Sequence, residues 1–274
     1  MAGSMTASGV AFNPALQAQY DNPAMVPEHP ALIAGWARDA AAYRARGGGL
    51  DVPYGASPRE RYDRFGPDDA PLAVFIHGGY WQKLDKSFFS HCAAGLNAHG
   101  VAVAVLGYDL CPAVTLRQIV RQASAACAQL RPALAFGHSA GGHLSAMLLA
   151  AGLVPAALPI SGVFDVMPLR HTRIGDALAL DEAQARALSP MFMPAPAGRL
   201  HAVVGGAESD AFREQTREMA ARWGGACEEI PGANHFTVLA GLSDPAGGLV
   251  RSALALLRGD AGRSADPSSS PAAC

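Results

Sequence analysis

The segment AFGHSAGGHL, residues 135–144, sets Ser139 between two glycines, at the end of an apolar run and just before an Ala/Leu-rich stretch. Gly137-His138-Ser139-Ala140-Gly141 fits the pattern G-x-S-x-G, in which a nucleophilic serine sits on a sharp strand-to-helix turn. A strained turn of that kind has no room for side chains two residues either side of the serine, and glycine removes both clashes. A helix starting at Ala140 aims unpaired amides and a positive dipole end at the serine, which favours negative charge there. The same five residues also describe an ordinary helix start packed on a strand. The choice depends on whether the rest of the chain supplies a base, an acid and an oxyanion site in the right order.

Outward from this turn, short apolar runs alternate with longer helical patterns between about residues 50 and 258. That rhythm predicts βαβ units and a mostly parallel sheet, an α/β fold. Strands are expected at 72–77 (LAVFIH), 101–106 (VAVAVL), 133–138 (ALAFGH), 156–161 (AALPIS), 199–204 (RLHAVV) and 226–231 (ACEEIP). Their unbroken Val/Ile/Ala/Leu character suits strands covered on both faces. Helices are expected at 114–130, 139–151, 211–223 and 246–258, with a further helical segment containing Phe88, Phe89, Cys92 and Leu96. Residues 50–65 read as a weaker antiparallel edge. An open parallel sheet places its site in loops beyond the carboxyl ends of the strands.

Composition narrows the partner. Of 274 residues, 50% are hydrophobic and 16% charged, and 21 Lys+Arg against 23 Asp+Glu leave a net charge of -2. Nothing in that balance suits nucleic acid or an anionic membrane, so the expected partner is a small molecule, with a homodimer as the candidate assembly. The five cysteines, Cys92, Cys111, Cys127, Cys227 and Cys274, contain no CxxC pair and read as reduced thiols of a cytoplasmic protein. No signal peptide or membrane span is expected. The stretch 259–274, GDAGRSADPSSSPAAC, reads as a disordered tail.

The strand at 72–77 runs into His77-Gly78-Gly79-Tyr80-Trp81. A tetrahedral acyl-transfer intermediate carries charge on the former carbonyl oxygen, and fixed backbone amides hold it well. Two glycines let that backbone approach a substrate, so the expected donors are the amides of Gly79, Tyr80 and Ala140, with Gly78 the alternate; His77 is expected to hold the loop. The base should follow the last core strand, and of nine histidines His235 stands there. The acid should follow the strand ending Val203-Val204-Gly205. Glu208, three residues past that glycine, is preferred; Asp210, at the helix start, competes as a helix cap, and Asp165 is a third candidate. The order Ser139, Glu208, His235 is that of Ser…Asp/Glu…His in α/β-hydrolases.

With HGGYW at 77–81, GHSAGGHL at 137–144, GGAESDAFREQ at 205–215 and NHF at 234–236, the chain resembles the kynurenine formamidase (arylformamidase)-like branch of the α/β-hydrolases, beside the hormone-sensitive-lipase-like esterases, which carry HGGG where this chain has HGGY. YDNPAMVPEHP at 20–30 and DALALDEAQARALSP at 176–190 extend the likeness over about residues 13–258. The resemblance implies hydrolysis of N-formyl-L-kynurenine to formate and kynurenine through an acyl-serine. Animal members have Asp where this chain aligns Glu208, which leaves Glu208 and Asp210 both open. General short-acyl carboxylesterase activity is the alternative, and a non-catalytic ligand-binding member of the fold the third reading. One domain at 13–258 is expected, with a small cap from 13–45 and 163–195. Tyr80, Trp81, His138 and Phe164 are the candidate substrate contacts. Neither a metal nor an organic cofactor is required.

Overall fold

The computed structural model describes residues 5–7 and 9–259. The helices α1 (Pro14–Tyr20), α2 (Asn22–Met25) and α3 (His29–Arg44) precede the strands β1 (Gly49–Pro53), β2 (Arg61–Phe65) and β3 (Leu72–Ile76). There follow α4 (Ala94–Ala98), β4 (Ala102–Leu106), α5 (Leu116–Leu130), β5 (Leu134–His138), α6 (Ala140–Ala150) and β6 (Ala156–Ile160). The remainder is α7 (Ile174–Leu178), α8 (Glu182–Ala187), β7 (Arg199–Gly205), α9 (Asp210–Trp223), β8 (Ala226–Ile230) and α10 (Gly248–Arg258).

The strands form one eight-stranded sheet in the order β1-β2-β4-β3-β5-β6-β7-β8. β1 and β2 pair antiparallel, β2 pairs antiparallel with β4, and every later pairing is parallel. The weak antiparallel edge read at 50–65 is therefore this pair of strands. Alternate residues of one strand serve opposite cores. Val74 and Ile76 join Ala135, Val204 and the inner faces of α5, α6 and α9, whereas Ala73 and Phe75 join Phe136, Leu158, Val203, Trp36 of α3 and Val250 of α10. Burial on both faces is why these strands lack polar alternation.

Local chemistry sets several element ends. Thr115 and Gln118 form a reciprocal capping box at the start of α5, and Asp181 and Gln184 do so at α8. The region expected as one helix around Phe88 to Leu96 is instead two 3-10 turns, Lys86–Phe88 and Ser90–Ala93, followed by the short α4. Asp85 caps the first turn through the Ser87 amide, and Gly95 sits so close to Leu242 that a Cβ would lie 2.5 Å from its carbonyl oxygen.

Cys92, Cys111 and Cys127 are buried free thiols. Cys227 is disulfide-bonded, which corrects the all-reduced reading at that position; linear spacing does not report which thiols a fold brings together. Residues 260–274 of the expected tail lie outside the described residues. No helix among the described residues is long and apolar enough to cross a membrane.

Candidate active site

Ser139 occupies the turn between β5 and α6 at φ 55° and ψ −115°, a conformation that residues with a Cβ avoid. Bonds on both sides hold it there: Ser139 N donates to Ile160 O at 2.8 Å, and His143 N donates to Ser139 O at 3.0 Å. A Cβ on Gly141 would lie 1.9 Å from Ile76 O, and one on Gly137 would lie 2.4 Å from Gly141 O. The glycines thus free space between backbones, letting α6 press against the ends of β3 and β5. The side chains for which the turn has no room would meet backbone atoms of β3 and α6.

The loop after β3 lies against this turn. A Cβ on Gly78 would stand 3.0 Å from Ser139 Cβ. Gly79 (φ 111°), Tyr80 (φ 51°) and Trp81 (φ 58°) follow one another with left-handed backbone, and the Gln82 and Lys83 amides both donate to Gly79 O. Among the described residues the N–H groups of Gly78, Gly79, Tyr80 and Ala140 donate to no protein acceptor. For Ala140 this follows from its place at the first helical position. His77 closes the loop from below, its Nδ1–H donating to Gly78 O at 2.7 Å and its ring stacked on Tyr108 at 4.2 Å. Complete burial pushes its imidazole down to about 4, so it stays neutral at ordinary pH.

His235 and Glu208 come together across the ends of β7 and β8. His235 Nδ1 lies 2.6 Å from Glu208 Oε2. A carboxylate can only accept, so Nδ1 carries the proton and Nε2 presents its lone pair. The other carboxylate oxygen, Oε1, accepts from Gly205 N at 2.7 Å and from Ser161 Oγ at 2.5 Å. Asp210 is elsewhere: it is the first residue of α9, its carboxylate pairs with Arg213, and its side chain is 74% exposed. Ser209, and not Asp210, caps that helix. Asp165 accepts from the Met167 amide at 2.8 Å in a turn after β6, and burial raises its carboxyl above the usual range.

Three of the four candidate substrate contacts are buried, as Ser139 itself is. Trp81 is fully buried, edge-on to His143 at 4.9 Å. Phe164 is fully buried over Gly162, where a Cβ would meet its ring at 2.6 Å. His138 is buried with Nε2–H donating to His235 O at 2.8 Å, so it touches the base's backbone instead of open space. Tyr80 remains half-buried; its hydroxyl donates to Tyr20 O at 2.6 Å and accepts from Asn22 Nδ2 at 3.3 Å.

Two features lay beyond the sequence reading. Ser161 falls at the end of the strand expected at 156–161 but lies just beyond β6, and only its position in a Ser-Gly pair at a strand's carboxyl end signals the site. The N-terminal segment reaches the acid loop, where Ser209 Oγ donates to Gln19 O at 2.7 Å and the Ala211 amide to Gln19 Oε1 at 3.2 Å.

Comparison with known proteins places the chain in a family. No protein-family model matches the chain. A kynurenine formamidase of Salmo salar is 31% identical over 227 residues, covering 71% of this chain and 77% of the relative. The chain belongs to the kynurenine formamidase family. Among solved structures, a proposed thioesterase from Silicibacter sp. TM1040 matches this family member with a TM-score of 0.82 and 33% identity, over 86% of this chain and 97% of that one. Esterase B of Lactobacillus rhamnosis, with a TM-score of 0.63 and 20% identity over 87% of this chain and 95% of its own, shares the fold. The formamidase family member is a hydrolase with the α/β-hydrolase fold.

Proposed function

We propose that the protein is an arylformamidase that hydrolyses N-formyl-L-kynurenine, with Ser139 as nucleophile, His235 as base and Glu208 as the acid that orients it. The single observation that carries the reading is the 2.6 Å bond between His235 Nδ1 and Glu208 Oε2, found in a family member whose strained elbow serine lies against Gly78, with the amides of Gly78, Gly79, Tyr80 and Ala140 unengaged. The name of the Salmo salar relative supports the substrate.

The chemistry follows from the groups in place. Ser139 Oγ attacks the formyl carbon while its proton passes to His235 Nε2. The oxyanion that forms is held by the amides of Gly79, Tyr80 and Ala140, with Gly78 adjacent. His235 Nε2–H then protonates the anilide nitrogen, the C–N bond breaks and kynurenine leaves. Water, deprotonated by His235, attacks the formyl-serine; the ester bond breaks, Ser139 recovers its proton and formate departs. Glu208 accepts from Nδ1–H throughout and balances the imidazolium charge at its peak.

The segments 13–45 and 163–195 form a small cap in this reading. They are tied together by Asn13 N donating to His171 O at 2.8 Å and Arg173 N donating to Gln17 Oε1 at 2.9 Å. The test is to compare kcat/KM for N-formyl-L-kynurenine with those for p-nitrophenyl acetate and butyrate. A formamide value above about 10⁴ M⁻¹s⁻¹ is expected of a real substrate. Ester turnover with negligible deformylation contradicts the substrate and moves the protein to the general carboxylesterases.

A further inference from the structure

Ser161 follows β6 directly and takes φ 51°. Its amide donates to Val203 O on β7 at 2.7 Å, which fixes the backbone, and its side chain is fully buried. A left-handed position is easiest for glycine, and Gly162 stands one residue later. A serine at the strained position is explained by what its hydroxyl does: Oγ donates to Glu208 Oε1 at 2.5 Å.

Glutamate has one more rotatable bond than aspartate, and its terminal torsion is broad instead of confined to staggered wells. A glutamate serving as triad acid therefore needs its carboxylate plane fixed from outside. The Gly205 amide, donating to the same Oε1 at 2.7 Å, locates one oxygen but leaves rotation about that contact. A second donor from a different strand end removes the rotation and leaves Oε2 facing His235.

We propose that Ser161 is a positioning residue of the catalytic machinery, its hydroxyl setting the orientation of the Glu208 carboxylate toward His235. This rests on the reading of Ser139, His235 and Glu208 as the triad. Ser161 moves no proton in the cycle and touches no substrate; it acts through Glu208. Its hydroxyl also draws charge from the carboxylate, because a donor to one oxygen stabilises the anion.

Ser161→Gly tests this, since glycine adopts the observed φ without strain and lacks only the hydroxymethyl group. Loss of one hydrogen bond to a charged group predicts a kcat about tenfold lower, with KM unchanged. The acidic limb of the kcat/KM profile moves to higher pH, because a carboxylate short of one donor holds the His235 proton more strongly. In a Glu208→Ala background the same change lowers kcat by less than about twofold, since residues acting as a unit are not additive. Ser161→Ala is the second variant, with circular dichroism and thermal unfolding to confirm folding.

Wild-type kcat and pH profile in Ser161→Gly, with Ser139→Ala inactive and Glu208→Ala strongly impaired but measurable, overturns the proposal and leaves the triad standing. An equal fall in both backgrounds, or a raised KM, assigns Ser161 a structural role and also overturns it. Wild-type turnover in Ser139→Ala or Glu208→Ala sinks the triad reading itself.

Discussion

His235 Nδ1 and Glu208 Oε2 are 2.6 Å apart, with the Glu208 side chain wholly closed to solvent and the His235 side chain 6% exposed. Away from water, an acceptor-only carboxylate fixes the imidazole tautomer and balances the charge that imidazole gains during acyl transfer. Asp210, two residues along the chain, faces solvent beside Arg213.

Glu208→Gln is expected to lower kcat by about 10³- to 10⁴-fold, because an amide stabilises the wrong tautomer of His235. Asp210→Asn is expected to stay within about twofold, as suits an exposed ion pair. Steady-state kinetics on both variants check this, and the reverse ranking makes Asp210 the acid.

Much of this site is legible in the sequence, for a physical reason. Parallel strands deliver their carboxyl ends to one edge, so the loops that carry Ser139, Glu208 and His235, each after a strand, share that edge once the strands are recognised. Counting from Gly205 favours Glu208 but leaves Asp210 open, since the decision lies in where β7 ends and which side of Ser209 turns into α9. Ser161 hides for a similar reason: its role depends on a backbone twist of one residue. The burial of Trp81 and Phe164 is not legible, because aromatic type alone does not say whether a loop turns a ring inward or outward.

The elbow glycines are expected to resist any side chain. Gly141→Ala places a methyl 1.9 Å from Ile76 O, backbone that cannot yield. Activity should be lost and thermal stability lowered by an overpacking cost of at least about 1–3 kcal/mol. Gly152→Ala, with φ +67° and nothing within 4 Å of the new methyl, should cost only about 1 kcal/mol of left-handed strain. Thermal unfolding of the pair checks the contrast.

Tyr80 separates backbone from side-chain roles. Tyr80→Phe keeps the backbone amide but removes the hydroxyl bonds to Tyr20 O and Asn22. A stability loss of about 1 kcal/mol is expected, with kcat within a few-fold of wild type. A kcat loss of about a hundredfold or more, the scale of a missing oxyanion donor, shows instead that the hydroxyl takes part in the chemistry.

Acid should unfold the protein earlier than its small charge suggests. Burial pushes His77 and His143 down to about 4, and His138 well below 6.5, with the nearby His235 adding to the shift at His138. Between pH 6.5 and about 4 the unfolded chain binds protons that the folded chain excludes, so stability falls as pH falls. The expected slope is about 1.4 kcal/mol per pH unit for each such histidine. Urea midpoints across that range measure it. His143→Gln can keep a donor to Leu188 O, where His143 Nε2 now sits at 2.7 Å, and should flatten the slope by one histidine.

The most direct test of the central claim is to incubate the protein with a p-nitrophenyl organophosphonate and map the adduct by peptide mass spectrometry. The account predicts a single adduct on the Ser139 Oγ, release of one equivalent of p-nitrophenol, and loss of both labelling and turnover in Ser139→Ala. Adduct formation at another residue, with turnover undiminished in Ser139→Ala, contradicts it.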